Sequence, residues 1–279
     1  MRVFVQTRGT ARAADYAFLG GAPPEPWWRA YRDATAFDHP TVLLTSDGGR
    51  WAAYLSGIPS SRVDAVSTVV RYTLVLDGPC GTPDAACVVA AVGAWLDDVA
   101  AGHGDRPGGR LAAALDARFP ADDVERWLAV DASTTEVRRR VLAGVAALPA
   151  VPGAADVPGD WIGAVAATGP RVAFTARVAA LVDGTPGRAL LLNLVGGPDD
   201  VQPLLDTASP VAVLVESTDP RLARCTALRP VVEAKKAVPP PARRVGTAAA
   251  VGIAVVPLVA LIGALALTAL VVTLLIWLL

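Results

Sequence analysis

The chain has 279 residues, 53% of them hydrophobic, with a formal net charge of −1 and three cysteines. The charge is unevenly placed: residues 1–230 carry 21 Lys/Arg against 25 Asp/Glu, whereas residues 231–279 carry four cations and only Glu233. A mildly acidic body argues against general nucleic-acid binding, and Cys80, Cys87 and Cys225, odd in number and without CxxC spacing, argue against a disulfide framework or a zinc site. The only lysines are Lys235 and Lys236, so nothing upstream can supply a Walker-A, kinase or Schiff-base lysine. The preference for arginine, with abundant Ala, Gly and Val, fits the codon bias of a GC-rich genome of actinobacterial type.

RVFVQ (2–6) reads as a strand. No apolar h-region marks a secretory signal there, so the body is expected in the cytosol. PPEPWW (23–28) places Trp27 and Trp28 behind rigid prolines, as core aromatics or as a partner surface. TVLLTSDGGRWAAYLSG (41–57) reads as a β-hairpin around Asp47-Gly48-Gly49, GIPSSRVD (57–64) as a loop, and STVVRYTLVLDG (67–78) as a strand. Asp64 is expected to order that loop by pairing with Arg62 or Arg71.

Thr82-Pro83-Asp84 reads as a helix start, with Thr82 as the capping hydroxyl. Val88, Val92, Trp95 and Val99 then recur at helical spacing to about Ala101. Further helices are predicted near 109–118, 121–129 and 133–148. In the last, Val137, Val141, Val145 and Leu148 share a face, while Arg138, Arg139 and Arg140 mostly point away, as a solvated face or a surface for an acidic partner or lipid head groups.

ALPAVPGAADVPGD (147–160) is the candidate internal boundary. WIGAVAA beyond it is a strand or a helix start; 170–182 and 198–206 read as helices, and 188–195 and 211–216 as strands. Apolar strands alternating with helices predict parallel pairing. The expected fold class is α/β, with α+β the alternative. Its parts are a β-rich N-terminal half with helices (1–150), a parallel α/β C-terminal half (151–230) either separate or sharing one sheet with the first, a basic Pro-rich linker (231–246) and a single C-terminal transmembrane helix (247–279).

Residues 247–279 contain no charged side chain. Within them, 257–279 would form a helix about 34 Å long, enough for a bilayer core of about 30 Å. Fourteen of these positions are Leu, Ile or Val, so insertion is favourable by several kcal/mol on the roughly −0.3 to −0.6 kcal/mol per-residue scale. Lys235, Lys236, Arg243 and Arg244 flank the span on its N-terminal side, and the positive-inside rule then leaves the N-terminus cytoplasmic. Pro239–Pro241 form a short stiff spacer, and Trp277 stands where an interfacial anchor belongs. Gly252, Ala260, Gly263, Ala264 and Thr268 supply small residues through which helices could approach and oligomerise.

Chemistry is sparsely marked. Asn193, Asp199, Asp200, Glu216 and Asp219 follow predicted strands, where open α/β sheets hold ligands, and hard oxygen donors suit a divalent cation. The competing reading is that these residues cap turns and short helices. GHGDRPGG (102–109) lacks the order and context of a phosphate loop, and no GxSxG elbow is present. His39 and His103 are expected in exposed loops, and no cofactor is expected. The expectation is a non-enzymatic, tail-anchored, single-pass inner-membrane protein. Its cytosolic body would bind a protein partner or signal, and in the sharper version it is a bacterial defence effector whose tails associate and perturb the bilayer. The alternative is a membrane-tethered metal-dependent hydrolase using the acidic strand ends.

Overall fold

Asp47 closes the first hairpin: its Oδ1 accepts from the backbone N–H of Gly49 (2.8 Å) and Arg50 (2.7 Å), and Gly48 turns the chain at φ +93°. The computed structural model describes residues 1–11, 15–130, 132–151, 155–205 and 209–228. Among them nine strands form one sheet: β1 (Arg2–Thr7), β2 (Ala17–Leu19), β3 (Thr41–Ser46), β4 (Arg50–Val63), β5 (Val69–Pro79), β6 (Trp161–Ala164), β7 (Gly187–Leu192), β8 (Val211–Val215) and β9 (Thr226–Ala227). Their order is β2-β1-β5-β4-β3-β7-β8-β6-β9. The first five pair antiparallel, β8 runs parallel to both β7 and β6, and β3 meets β7 antiparallel. The fold is therefore mixed α/β, and the regions 1–150 and 151–230 build a single sheet.

Among the described residues six α-helices accompany it: α1 (Ala85–Asp98), α2 (Arg110–Asp116), α3 (Ala121–Ala129), α4 (Thr134–Val145), α5 (Thr168–Asp183) and the single-turn α6 (Pro198–Val201). One sheet face presents Val5, Leu44, Leu55 and Leu74 to Val92 and Trp95 of α1 and Phe174 of α5. The opposite face presents Phe4, Leu43, Tyr54 and Val75 to a strap containing Trp27, Trp28 and Tyr31. Strand period two divides these sets, and helical period places Val88, Val92 and Trp95 inward.

Several expectations are corrected. Residues 57–64 are not a loop, because β4 continues to Val63. Gly57 (φ +78°) turns the strand through an irregular step between Leu55 and Ile58, and a Cβ there would sit 2.3 Å from the His39 carbonyl oxygen. Asp64 does order the following turn, accepting from the N–H of Val66 and Thr68, but its ion-pair partner is Arg8 (2.7 Å). Thr82 does not cap α1: its hydroxyl donates to the Pro79 carbonyl (3.3 Å), and the helix begins at Ala85. Of the predicted helix 198–206, the described residues 198–205 give only α6 and a 3-10 turn at Gln202–Leu204, since Pro203 cannot donate the bond that would extend the helix. WIGAVAA resolves as β6, where Gly163 admits Pro170 of α5 so closely that a Cβ would lie 2.5 Å from the proline. The linker and tail, with Lys235, Lys236, Arg243, Arg244 and Trp277, lie outside the described residues.

α2 starts on a buried carboxylate. Asp98, 3% exposed, accepts from the N–H of Arg110 (2.8 Å) and Leu111 (2.9 Å), which the helix itself cannot satisfy. Asp98→Ala should cost about 2 kcal/mol, a fall in Tm of roughly 4–8 °C, while Asp98→Asn, which keeps an acceptor, should cost less. A thermal melt of both variants in which Asp98→Ala matches the parent would refute this anchoring.

Candidate functional site

The carboxyl ends of the parallel strands are where an open α/β sheet receives ligands. Here the chain leaves β6 through Val165 and Ala166 and β8 through Glu216, Ser217 and Thr218. With Val99 and Ala100, at the end of α1, they line a cavity of about 320 Å³. Strand β3 begins on the same sheet edge, so the residues before it also arrive here. His39 lies with Nδ1 3.7 Å from Asp105 and Nε2 4.0 Å from Asp38. Arg71 approaches Asp105 at 3.9 Å and donates to the carbonyls of Gly57 (2.7 Å) and Gly104 (3.2 Å). Burial pushes the Glu216 carboxyl above its ordinary range; nearby Asp105 adds to the rise and His39 opposes it. Three carboxyls, an imidazole and a guanidinium thus gather beside the cavity, and Arg71 ties the 102–109 loop to strand β4. Among the described residues no serine or cysteine stands in hydrogen-bonding contact with His39.

The acidic strand-end residues are individually engaged. Asn193 Oδ1 accepts from the Ala36 N–H (2.7 Å), and its Nδ2 donates to the Ala36 and Pro40 carbonyls (both 3.2 Å) and to Thr41 Oγ1 (2.8 Å). Asp200 Oδ2 accepts from the Gly196 N–H (3.0 Å), and Asp199 stays exposed in the first turn of α6. Asp219 caps the 3-10 turn at Pro220–Ala223 and pairs with Arg221, which draws its carboxyl below the usual range. Ser217 Oγ accepts from the Asp219 N–H (3.2 Å). Among the described residues, no group of three or more His, Cys, Asp and Glu side chains is arranged to hold a metal ion. Of the sequence candidates only Glu216 faces the cavity. His39, Asp105 and Arg71 join it from three distant segments, and the His-Pro step at 39–40 was their only local signal.

The remaining candidates are held within the chain. Trp28 stacks on Tyr54 (5.2 Å between ring centres, 16° between planes), and Trp27 meets Trp28 edge-on at 6.3 Å; both are half-buried. Arg138 donates to the Met1 carbonyl (3.0 Å) and to Asp84 (3.0 Å), pinning the N-terminus. Arg139 forks onto Glu136 with two bonds of 2.7 Å. Arg140 reaches Glu136 (2.7 Å), Asp123 (2.6 Å) and the Arg118 carbonyl (2.8 Å), and its guanidinium lies 4.4 Å from the Trp127 ring centre. No protein-family model, curated protein or solved structure matches the chain.

The arginine cluster makes a pH prediction. Arg139 first, then Arg140, lowers the Glu136 carboxyl from 4.5 to about 2. A depressed acid stabilises the fold fully above its unfolded value, and that contribution is lost as the pH falls through the folded one. Denaturant titrations should therefore show Glu136→Gln less stable than the parent above pH 4.5, with the gap closing towards pH 2. A gap independent of pH would contradict the pairing.

Proposed function

We propose that the protein is a single-pass, tail-anchored membrane protein that holds its α/β body at the cytoplasmic face of the inner membrane, where the body engages a protein partner or a signal. One observation carries this reading: 33 residues without a charged side chain, 247–279, directly follow Lys235, Lys236, Arg243 and Arg244. Trp277 supports it as an interfacial anchor, and the small residues Gly252, Ala260, Gly263, Ala264 and Thr268 support association between tails. Such association would suit an effector that perturbs the bilayer when activated, as in a bacterial defence system. The metal-dependent hydrolase ranks second, because Asn193, Asp200 and Asp219 already serve local hydrogen bonds.

Deleting 247–279 should move the protein from the carbonate-resistant membrane pellet to the supernatant. Changing the four flanking cations to glutamate should expose the body to protease added outside spheroplasts. Recovery of the intact chain in the carbonate-soluble fraction would overturn the anchor. Dye release from vesicles that requires 247–279 would support the effector version, and intact vesicles at saturating protein would count against it.

A further inference from the structure

A cavity of about 910 Å³ opens on the strap side of the sheet, at the opposite end from the Glu216 cluster. Its floor follows from register. Thr45 pairs with Ala52, Ala52 with Asp77, and Asp77 with Arg2, so one cross-strand row runs over β3, β4, β5 and β1. The parallel row two residues inward, Leu43-Tyr54-Val75-Phe4, is apolar and roofed by Trp28. Where the row turns polar the roof ends. Pro23 and Trp27 then form one wall, and Arg50 closes the far side.

Two arginines of this cleft keep donors that Asp77 does not use. Asp77, with a side chain only 14% exposed, accepts Arg2 Nε on both oxygens (2.8 and 3.1 Å) and Arg50 Nη2 on one (3.2 Å). Asp47 spends itself on the hairpin amides. Both Asp77 oxygens are thus occupied, while both η nitrogens of Arg2 and the Nε and Nη1 of Arg50 have no hydrogen-bond partner among the described residues. Each arginine side chain is more than half exposed (57% and 58%) but is held by Asp77. Three carboxylates share the lining with these arginines: Asp77 is paired with both, Asp47 is turned to the hairpin amides, and Glu25 at the rim acts on Arg2. Paired guanidinium forks recognise carboxylate or phosphate oxygens, and an indole beside proline rings accepts a flat apolar body. The volume lies at the upper end of the range of small-molecule pockets.

We infer that this cleft binds a small organic anion, a phosphate or carboxylate carrying a planar ring, with Arg2 and Arg50 on the anion and Trp27 against the ring. The site lies wholly within residues 1–79 and does not depend on membrane attachment.

The probe is 1-naphthyl phosphate, measured by equilibrium dialysis against the full chain in nonionic detergent, with protein-free micelles as the blank. Saturable binding near one per chain is expected, at least tenfold tighter than for inorganic phosphate or 1-naphthol. Arg2→Ala and Arg50→Ala should each weaken it by about tenfold, the scale of one charge-assisted contact. Glu25→Gln should tighten it by about threefold. Ala52→Leu, which fills the floor without touching a charge, should abolish it. Parent-like melting temperatures will show that the arginine variants remain folded. Absence of binding, equal binding of naphthol, or affinity indifferent to both arginines and to Ala52→Leu would overturn the assignment, whatever the outcome of the membrane tests.

Discussion

Strand β3 is the constraint on which the rest of the molecule depends. It lies between β4 and β7 with antiparallel neighbours on both sides, and Val42, Leu43 and Leu44 are wholly buried. Val42 and Leu44 face the helices while Leu43 faces the strap. A one-residue slip would exchange those faces, so burial on both sides locks the register. That register decides what meets at each end of the sheet. It brings His39, just before β3, to the strand ends that carry Glu216. It also brings Thr45, late in β3, into the row with Ala52, Asp77 and Arg2 that floors the cleft. The two polar regions occupy opposite ends of one sheet because a single central strand runs between them.

Arginine secures the irregular segments around this sheet. A planar guanidinium can reach several carbonyls at once, which an ammonium does less well. Arg177, 2% exposed in α5, binds Asp156 (2.8 and 2.9 Å) and the carbonyls of Val157 and Gly159, fixing residues 156–159 before β6. Arg62 joins Ser60 (3.1 Å), Thr7 (2.8 Å) and the Arg8 carbonyl (3.0 Å) while covering the Tyr72 ring at 5.0 Å. Asp116 completes that network by accepting from Ser60, the Ser61 N–H and Tyr72. Exposed ion pairs such as Arg139–Glu136 add little stability individually. The half-buried forks matter because each removes the need for a regular backbone partner, and a body without lysine uses them at several points where the chain leaves helix or strand.

Legibility in the sequence followed the range of the interactions. The β3–β4 hairpin, α1, α3, α4, α5 and β8 rest on local periodicity, and each was expected close to its observed position. The extension of β4 was missed because Gly-Ile-Pro-Ser-Ser has loop composition. It pairs with β5 through Ile58–Tyr72, Pro59–Arg71 and Val63–Val69, and the side-chain bonds that brace it come from Asp116 and Thr7, more than 50 residues away. The short edge strands β2 and β9 carry too few residues to show a period. The strand-end acids were legible as residue types but not as partners, since capping and ligation call on the same side chains. Arg71 and Asp105 beside His39, and Arg2 beside Arg50, are contacts made only by tertiary register, which one sequence does not display.

Apolar length alone does not separate a core helix from a membrane span. Residues Ala85–His103 are long and apolar enough to cross a bilayer, yet half of that window is buried inside the fold. Here α1 has a reason to stay. Val88, Val92 and Trp95 are fully buried against the sheet, and its C-terminal Asp98 is committed to the amides of α2. Pulling it into lipid would break a buried charge-assisted cap and uncover the sheet face beneath. Residues 247–279 carry no acid or base that could make such a commitment, and their cations stand together on one flank. The difference lies in polar anchoring: α1 is bound to its neighbours through a buried hydrogen-bonded side chain, and under the proposed membrane anchoring residues 247–279 would have no charged side chain to bury.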